Sequence, residues 1–90
     1  MTKERRLAIE MWQEIVDKCK AGEKFNVINF KDEFCKEHNL VWVNSCYFCQ
    51  YYPCSKCPLY NYMSIYSRVC ALRDVASAET VLNALKGSNN

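Results

Sequence analysis

Cys46-Tyr-Phe-Cys49-Gln-Tyr-Tyr-Pro-Cys54-Ser-Lys-Cys57 is the stretch on which the reading of this chain turns, since it sets two C-x2-C pairs only four residues apart. A C-x2-C turn converges two thiolates on one ion, and two such turns supply the four soft ligands that tetrahedral zinc takes in structural sites. The expected ligand set is Cys46, Cys49, Cys54 and Cys57. Cys70 is the reserve, replacing Cys54 if the short spacing strains one turn. Either set is closed, with no coordination position for a substrate water, which marks a structural rather than a catalytic metal. His38, eight residues before Cys46, is a more distant candidate that four nearer thiolates make unnecessary.

The same block admits an iron–sulfur cluster, because Cys49-x4-Cys54-x2-Cys57 followed by Cys70 has plant-type ferredoxin spacing. Against this, Tyr51 and Tyr52 are bulky and Pro53 lacks an N–H, where such loops use small residues to let backbone amides approach the sulfides. Zn2+ is therefore the expected cofactor. The seven cysteines are an odd number, and Met1-Thr-Lys-Glu-Arg-Arg6 leads into an amphipathic pattern without an apolar signal-peptide core. Both observations place the chain in the reducing cytoplasm, where paired cysteines hold metal more often than they form disulfides. No apolar run has transmembrane length. A chain of 90 residues buries proportionally little surface, so a metal staple suits it, and a composition that is 50% hydrophobic argues for a folded core.

Around the cysteines lies a belt of rings: Trp42, Tyr47, Phe48, Tyr51, Tyr52, Tyr60, Tyr62 and Tyr66. Residues 1–39 carry eight basic and eight acidic side chains, whereas from Leu40 to Ser67 the sole charged residue is Lys56. About half of the rings should cover the thiolates as a small core. The rest, with Trp42, Tyr47, Tyr51, Tyr52 and Tyr60 as the expected contact residues, should be displayed on a nearly uncharged surface. Exposed aromatics with charge depleted around them fit the centre of a protein–protein interface. They could also stack on unpaired bases, but only Lys56, Arg68 and Arg73 are near enough to track phosphates. A net charge of +2 adds little to that alternative.

The flanks read as helices. Thr2 caps the first, on which Leu7, Ala8, Met11, Trp12, Ile15, Val16 and Cys19 recur at three-and-four spacing, with Gly22 as the stop. Glu14 and Lys18 form an i,i+4 pair on its outer, solvated side. Asn29 is the expected cap of a second, short helix carrying Phe30, Phe34 and Cys35 and ending at Asn39, with His38 in its last turn. Leu40-Val-Trp-Val43 is a β-rich tetrad, and Pro53 and Pro58 exclude a continuous helix through the cysteines. Beyond Tyr60 the chain is ambiguous. Ile65, Val69 and Leu72 have helical spacing, whereas Asn61 to Ser64 read equally as loop. Ser77 is the expected cap of a last helix with Ala78, Val81, Leu82 and Leu85 on one face and Lys86-Gly87 at its end.

The expected fold is thus mainly α, a small single helical domain over 1–90. It has a first helix over 2–21, a short helix over 29–39, a central cysteine-rich zinc-binding lobe over 40–70 and a last helix over 77–87. Catalysis is not expected. Cys19 and Cys35 lie in apolar stripes, His38 is the sole histidine, and the two glycines, Gly22 and Gly87, build no phosphate loop.

The order of these features resembles a group of small cysteine-rich proteins of tailed bacteriophages and prophages. The matching pieces are Leu7-Ala-Ile-Glu-Met-Trp12, Cys46-Tyr-Phe-Cys49, Cys54-Ser-Lys-Cys57-Pro-Leu59, Cys70 and Ser77-Ala-Glu-Thr80. Between Cys70 and the last helix this chain lacks the Tyr and Trp residues that similar proteins often carry. The resemblance implies a metal-bound viral accessory protein. Together with the residue-level reading it leads to a non-enzymatic zinc-binding module that binds another protein, a host or defence component. A nucleic-acid-binding zinc module is the alternative and an iron–sulfur redox sensor the third reading. No membrane partner is expected, and the sequence assigns no oligomeric state.

Overall fold

The computed structural model describes residues 2–40, Leu59 and 62–87, with the backbone alone for Tyr62 and Met63. This part is mainly α-helical, with four helices and no strand among the described residues: α1 (Lys3–Lys20), α2 (Val27–Glu37), α3 (Tyr62–Leu72) and α4 (Val75–Gly87). No helix among the described residues is long and apolar enough to cross a membrane.

α1 follows from its own sequence. The Thr2 hydroxyl accepts the Arg5 N–H at 3.2 Å, satisfying one of the orphan donors of a helix start. Leu7, Ala8, Met11, Trp12, Ile15, Val16 and Cys19 are all buried, as their spacing requires. At the other end the Glu23 N–H reaches the Lys18 carbonyl (3.0 Å) and the Gly22 N–H the Cys19 carbonyl (3.1 Å). That bond pair is the Schellman stop, and it needs the left-handed backbone that Gly22 adopts at φ 69°. The ion pair of Lys18 is not the expected one with Glu14. Lys18 pairs with Glu23 at 3.0 Å and lies over the rings of Phe25 and Phe30 at 5.6 and 5.5 Å.

α2 starts one turn earlier than expected. Its cap is Asn26, whose side-chain oxygen accepts the Asn29 N–H at 2.9 Å, so Asn29 is a helical residue and not the cap. Tertiary burial decides between the two asparagines: beginning at Asn26 brings Val27, 2% exposed, into the helix as the first residue of a buried face with Lys31, Phe34 and Cys35. The end lies where it was expected. Asn39 takes φ 55°, and the Leu40 N–H closes on the Cys35 carbonyl at 2.8 Å, a second Schellman-type stop with asparagine in place of glycine. Leu40 therefore closes the end of α2; the rest of the β-rich tetrad, Val41 to Val43, lies outside the described residues.

α3 resolves the ambiguity after Tyr60 in favour of helix from Tyr62 onward, which takes the end of the expected 40–70 lobe into the helical body. Val69 is fully buried, but Leu72, the third member of the apolar spacing, is 71% exposed. α4 also begins early, at Val75. Asp74 precedes it, accepting the Ser77 hydroxyl with its carboxylate and the Ala78 N–H with its carbonyl at 3.0 Å. Ser77, the expected cap, is instead a buried helical residue, its hydroxyl held by the Asp74 carboxylate one turn earlier.

The core is one cluster in which the α1 face meets Ala78, Val81, Leu82 and Leu85 of α4, with Phe34 and Cys35 from α2 and Val69 from α3. α1 and α4 run antiparallel. Arg5, at the start of α1, donates to the Leu85 carbonyl near the end of α4 from Nε (3.0 Å) and Nη2 (2.7 Å), and Lys20 meets Glu79 at the opposite end at 3.4 Å. Arg5 is 6% exposed. Its guanidinium fills the carbonyl-rich end of α4, where orphan acceptors and the helix dipole both favour a cation.

Candidate functional site

The expected ligands Cys46, Cys49, Cys54 and Cys57, and the expected contact residues Trp42, Tyr47, Tyr51, Tyr52 and Tyr60, lie outside the described residues. Their two neighbours in sequence do not. Leu40 packs against the core, and Leu59, two residues beyond Cys57, is 4% exposed and belongs to it. The cysteine block is thus bracketed by two leucines seated on the helices. Among the described residues, no group of three or more His, Cys, Asp and Glu side chains is placed to hold a metal.

The three remaining cysteines are free thiols built into helices. Cys19 on α1 is buried, and burial pushes its thiol up, with Arg73 lowering it and Asp74 raising it to a lesser degree. Cys35 on α2 is likewise raised by burial, against Lys31. Cys70 on α3 is partly buried and raised by burial, with a hydrogen bond to Tyr66 and the Lys31 charge acting the other way. None of the three has the depressed value of a reactive thiolate.

Two of them belong to a polar cluster that sequence reasoning missed. Lys31 is 1% exposed, its Nζ 4.9 Å from the Tyr66 ring centre, with Cys35 and Cys70 close enough to feel its charge. Tyr66 is not a displayed ring of the belt. It is half-buried, edge-on to Trp12 at 6.1 Å and 70°, and its hydroxyl is pushed far up, first by burial. A signal existed in the sequence, since Lys31 occupies an inward position of the Val27-Lys31-Phe34-Cys35 spacing, as Arg5 does three residues before Ala8 on α1. A charge inside an apolar stripe is either a register error or a buried, partnered cation.

Among the described residues, two of the grooves lie beside the helices. One, of about 280 Å³, lies between α1 and α2 and is lined by Glu10, Glu14, Glu33, Glu37, Phe30, Phe34 and His38. The outer side of α1 is therefore one wall of an acidic furrow, not a featureless solvated face. His38 lies against Phe34 with ring centres 4.4 Å apart and planes tilted by 42°, and it is exposed. The other groove, of about 420 Å³, is lined by Lys24, Phe25, Asn26, Val27, Ile28, Cys70 and Arg73. Comparison of the chain with models of protein families, with curated proteins and with solved structures finds no match.

Proposed function

We propose that this protein is a non-enzymatic zinc-binding module that acts by binding another protein. Cys46, Cys49, Cys54 and Cys57 hold the ion, and Trp42, Tyr47, Tyr51, Tyr52 and Tyr60 form the contact surface. The observation that carries the reading is how the cysteines are distributed. Cys19, Cys35 and Cys70 are each built into a helix as thiols raised by burial. The four in paired spacing fall together between Leu40 and Leu59, which pack on the core. The hydrogen bond between Cys70 and Tyr66 gives Cys70 a role within the helical body and supports the contiguous ligand set over the one that includes Cys70. A closed tetrathiolate serves stability rather than turnover, and a metal-held lobe presents its rings without ordering them at the moment of binding. The resemblance to phage and prophage proteins supports a viral accessory role directed at a host or defence protein in the host cytoplasm.

Metal analysis of the freshly purified chain tests the first part. One zinc per chain is expected, with loss on Cys46→Ser or Cys57→Ser and retention on Cys70→Ser. Stoichiometric iron with visible absorbance would replace zinc by a cluster. For the second part, a partner captured from host lysate is titrated against Tyr51→Ala and Tyr52→Ala. Each should weaken binding by about 1–3 kcal/mol with zinc content and helicity unchanged. Submicromolar, steeply salt-dependent binding to DNA or RNA would favour the nucleic-acid alternative instead.

A further inference from the structure

We propose that the groove between the first turn of α2 and the end of α3 is a second docking site, taking an acidic, aliphatic segment of a partner protein in which a Glu or Asp stands beside a Leu or Ile. Charge complementarity carries the choice of occupant. Lys24 and Arg73 line the groove, and among the described residues no carboxylate does. The ion pairs formed among the described residues use Lys18, Lys20 and Lys36 and leave Lys24 and Arg73 without an acidic partner. The first turn of α2 carries no acidic side chain; its start is capped by the neutral Asn26 amide alone, so the positive helix end is not offset by a charge of its own.

The apolar half of the occupant follows from the walls. Phe25 and Ile28 line the groove. Ile28 is 54% exposed, and Leu72, next to Arg73 in the chain, is 71% exposed; these two are the large apolar side chains left most open among the described residues. A volume of about 420 Å³ is far larger than an inorganic anion and suits a few side chains of a peptide.

Arg73 is also the unusual member of a set. Three helices end in a left-handed residue, and at two of them it is Gly22 or Asn39, which tolerate that backbone, whereas α3 ends in Arg73 at φ 49°. A long side chain there is disfavoured by about 1 kcal/mol or more, and no ion pair among the described residues uses its guanidinium.

The test is fluorescence anisotropy of the full chain with a labelled twelve-residue peptide of alternating Glu and Leu, beside versions with Glu→Gln and with Leu→Ser. Saturable binding is expected for the parent peptide, weakened about fivefold by Lys24→Gln or Arg73→Gln and about tenfold by Ile28→Ser. Lys86→Gln on α4 should leave it unchanged. All three groove side chains are exposed, so the variants should keep their helicity, which circular dichroism checks. Alkylation at Cys70, read by site-resolved mass spectrometry, should slow when the peptide is bound. The proposal is overturned by absence of saturable binding below about 1 mM, or by equal binding of the Leu→Ser peptide, which would reduce the site to a simple anion hole. Tighter binding of inorganic phosphate or a DNA oligonucleotide than of the peptide would overturn it too. Lys24, Ile28 and Arg73 belong to neither candidate ligand set, so the effects of their substitution are read independently of whether the cysteine block holds zinc; Cys70, the reserve ligand, also lines the groove, and zinc content is measured beside its alkylation.

Discussion

Where α1 meets α4, the buried surface is Leu7, Ala8, Met11, Trp12, Ile15 and Val16 against Ala78, Val81, Leu82 and Leu85, closed at one end by Arg5 on the Leu85 carbonyl. Where α2 meets α3, a buried Lys31 shares the contact with Cys35, Tyr66 and Cys70. The first surface is removed from water and gains roughly 25 cal/mol for each Å² of apolar area, a contribution that does not titrate with pH. The second contains Cys35, Cys70 and Tyr66, whose protons are held more tightly when buried, so its contribution varies with pH. Stability therefore belongs mostly to the α1–α4 side, and sensitivity to conditions to the α2–α3 side.

The largest expected effect breaks the apolar side. Trp12, 2% exposed, is a fully enclosed ring, and Trp12→Ala should destabilise the chain by about 3–5 kcal/mol, measured by denaturant unfolding with zinc held constant. Arg5→Met comes next. It leaves the Leu85 carbonyl, now served by two guanidinium bonds, without its donor, and a loss of about 1.5–3 kcal/mol is expected in the same titration.

The α2–α3 side is sharpened by pH. Cys35, Cys70 and Tyr66 all hold their protons more tightly in the folded chain than their ordinary values imply, burial being the first cause in each case. Above the ordinary thiol range, near pH 8.5, the unfolded chain therefore binds fewer protons than the folded one, and stability falls as pH rises. The decline between about pH 8.5 and 10.5 should be shallower in Cys35→Ala than in the parent chain. Equal slopes would remove Cys35 from the pH-sensitive set.

Smaller again is Asn26→Ala, which deletes the bond to the Asn29 N–H and should cost about 1 kcal/mol. If the cap were at Asn29 instead, Asn29→Ala would be the damaging change. The smallest effect is expected at Lys18→Ala. Its pair with Glu23 and its place over Phe25 and Phe30 are partly exposed, and a loss below about 1 kcal/mol is expected.

The four helix boundaries show how far local reading extends. α1 was legible at both ends because Thr2 and Gly22 are each the sole suitable cap or stop within reach. α2 and α4 were legible as helices but not at their starts, since each offers two cap-type residues three apart, Asn26 with Asn29 and Asp74 with Ser77. The choice turns on whether Val27 and Ser77 become buried, which no local signal reports. α3 was half legible for a related reason: its spacing of Ile65, Val69 and Leu72 is helical, yet Leu72 is exposed and Tyr66 is drawn inward by Trp12.

By itself the sequence determined the mainly helical class, the apolar face of α1, the left-handed stops at Gly22 and Asn39, and the paired cysteine spacing that makes Cys46, Cys49, Cys54 and Cys57 a proposed metal set. These depend on residues within a turn or two of one another, where periodicity, capping and ligand spacing operate. Only the tertiary structure decided that Arg5 closes the end of α4, eighty residues away, that Lys31 lies inside the fold, and that Lys24 and Arg73 share one groove. A charged side chain is affordable in the interior only when a distant carbonyl, ring or helix end meets it. That meeting is a property of how the helices pack, and neither partner's neighbours in the chain announce it.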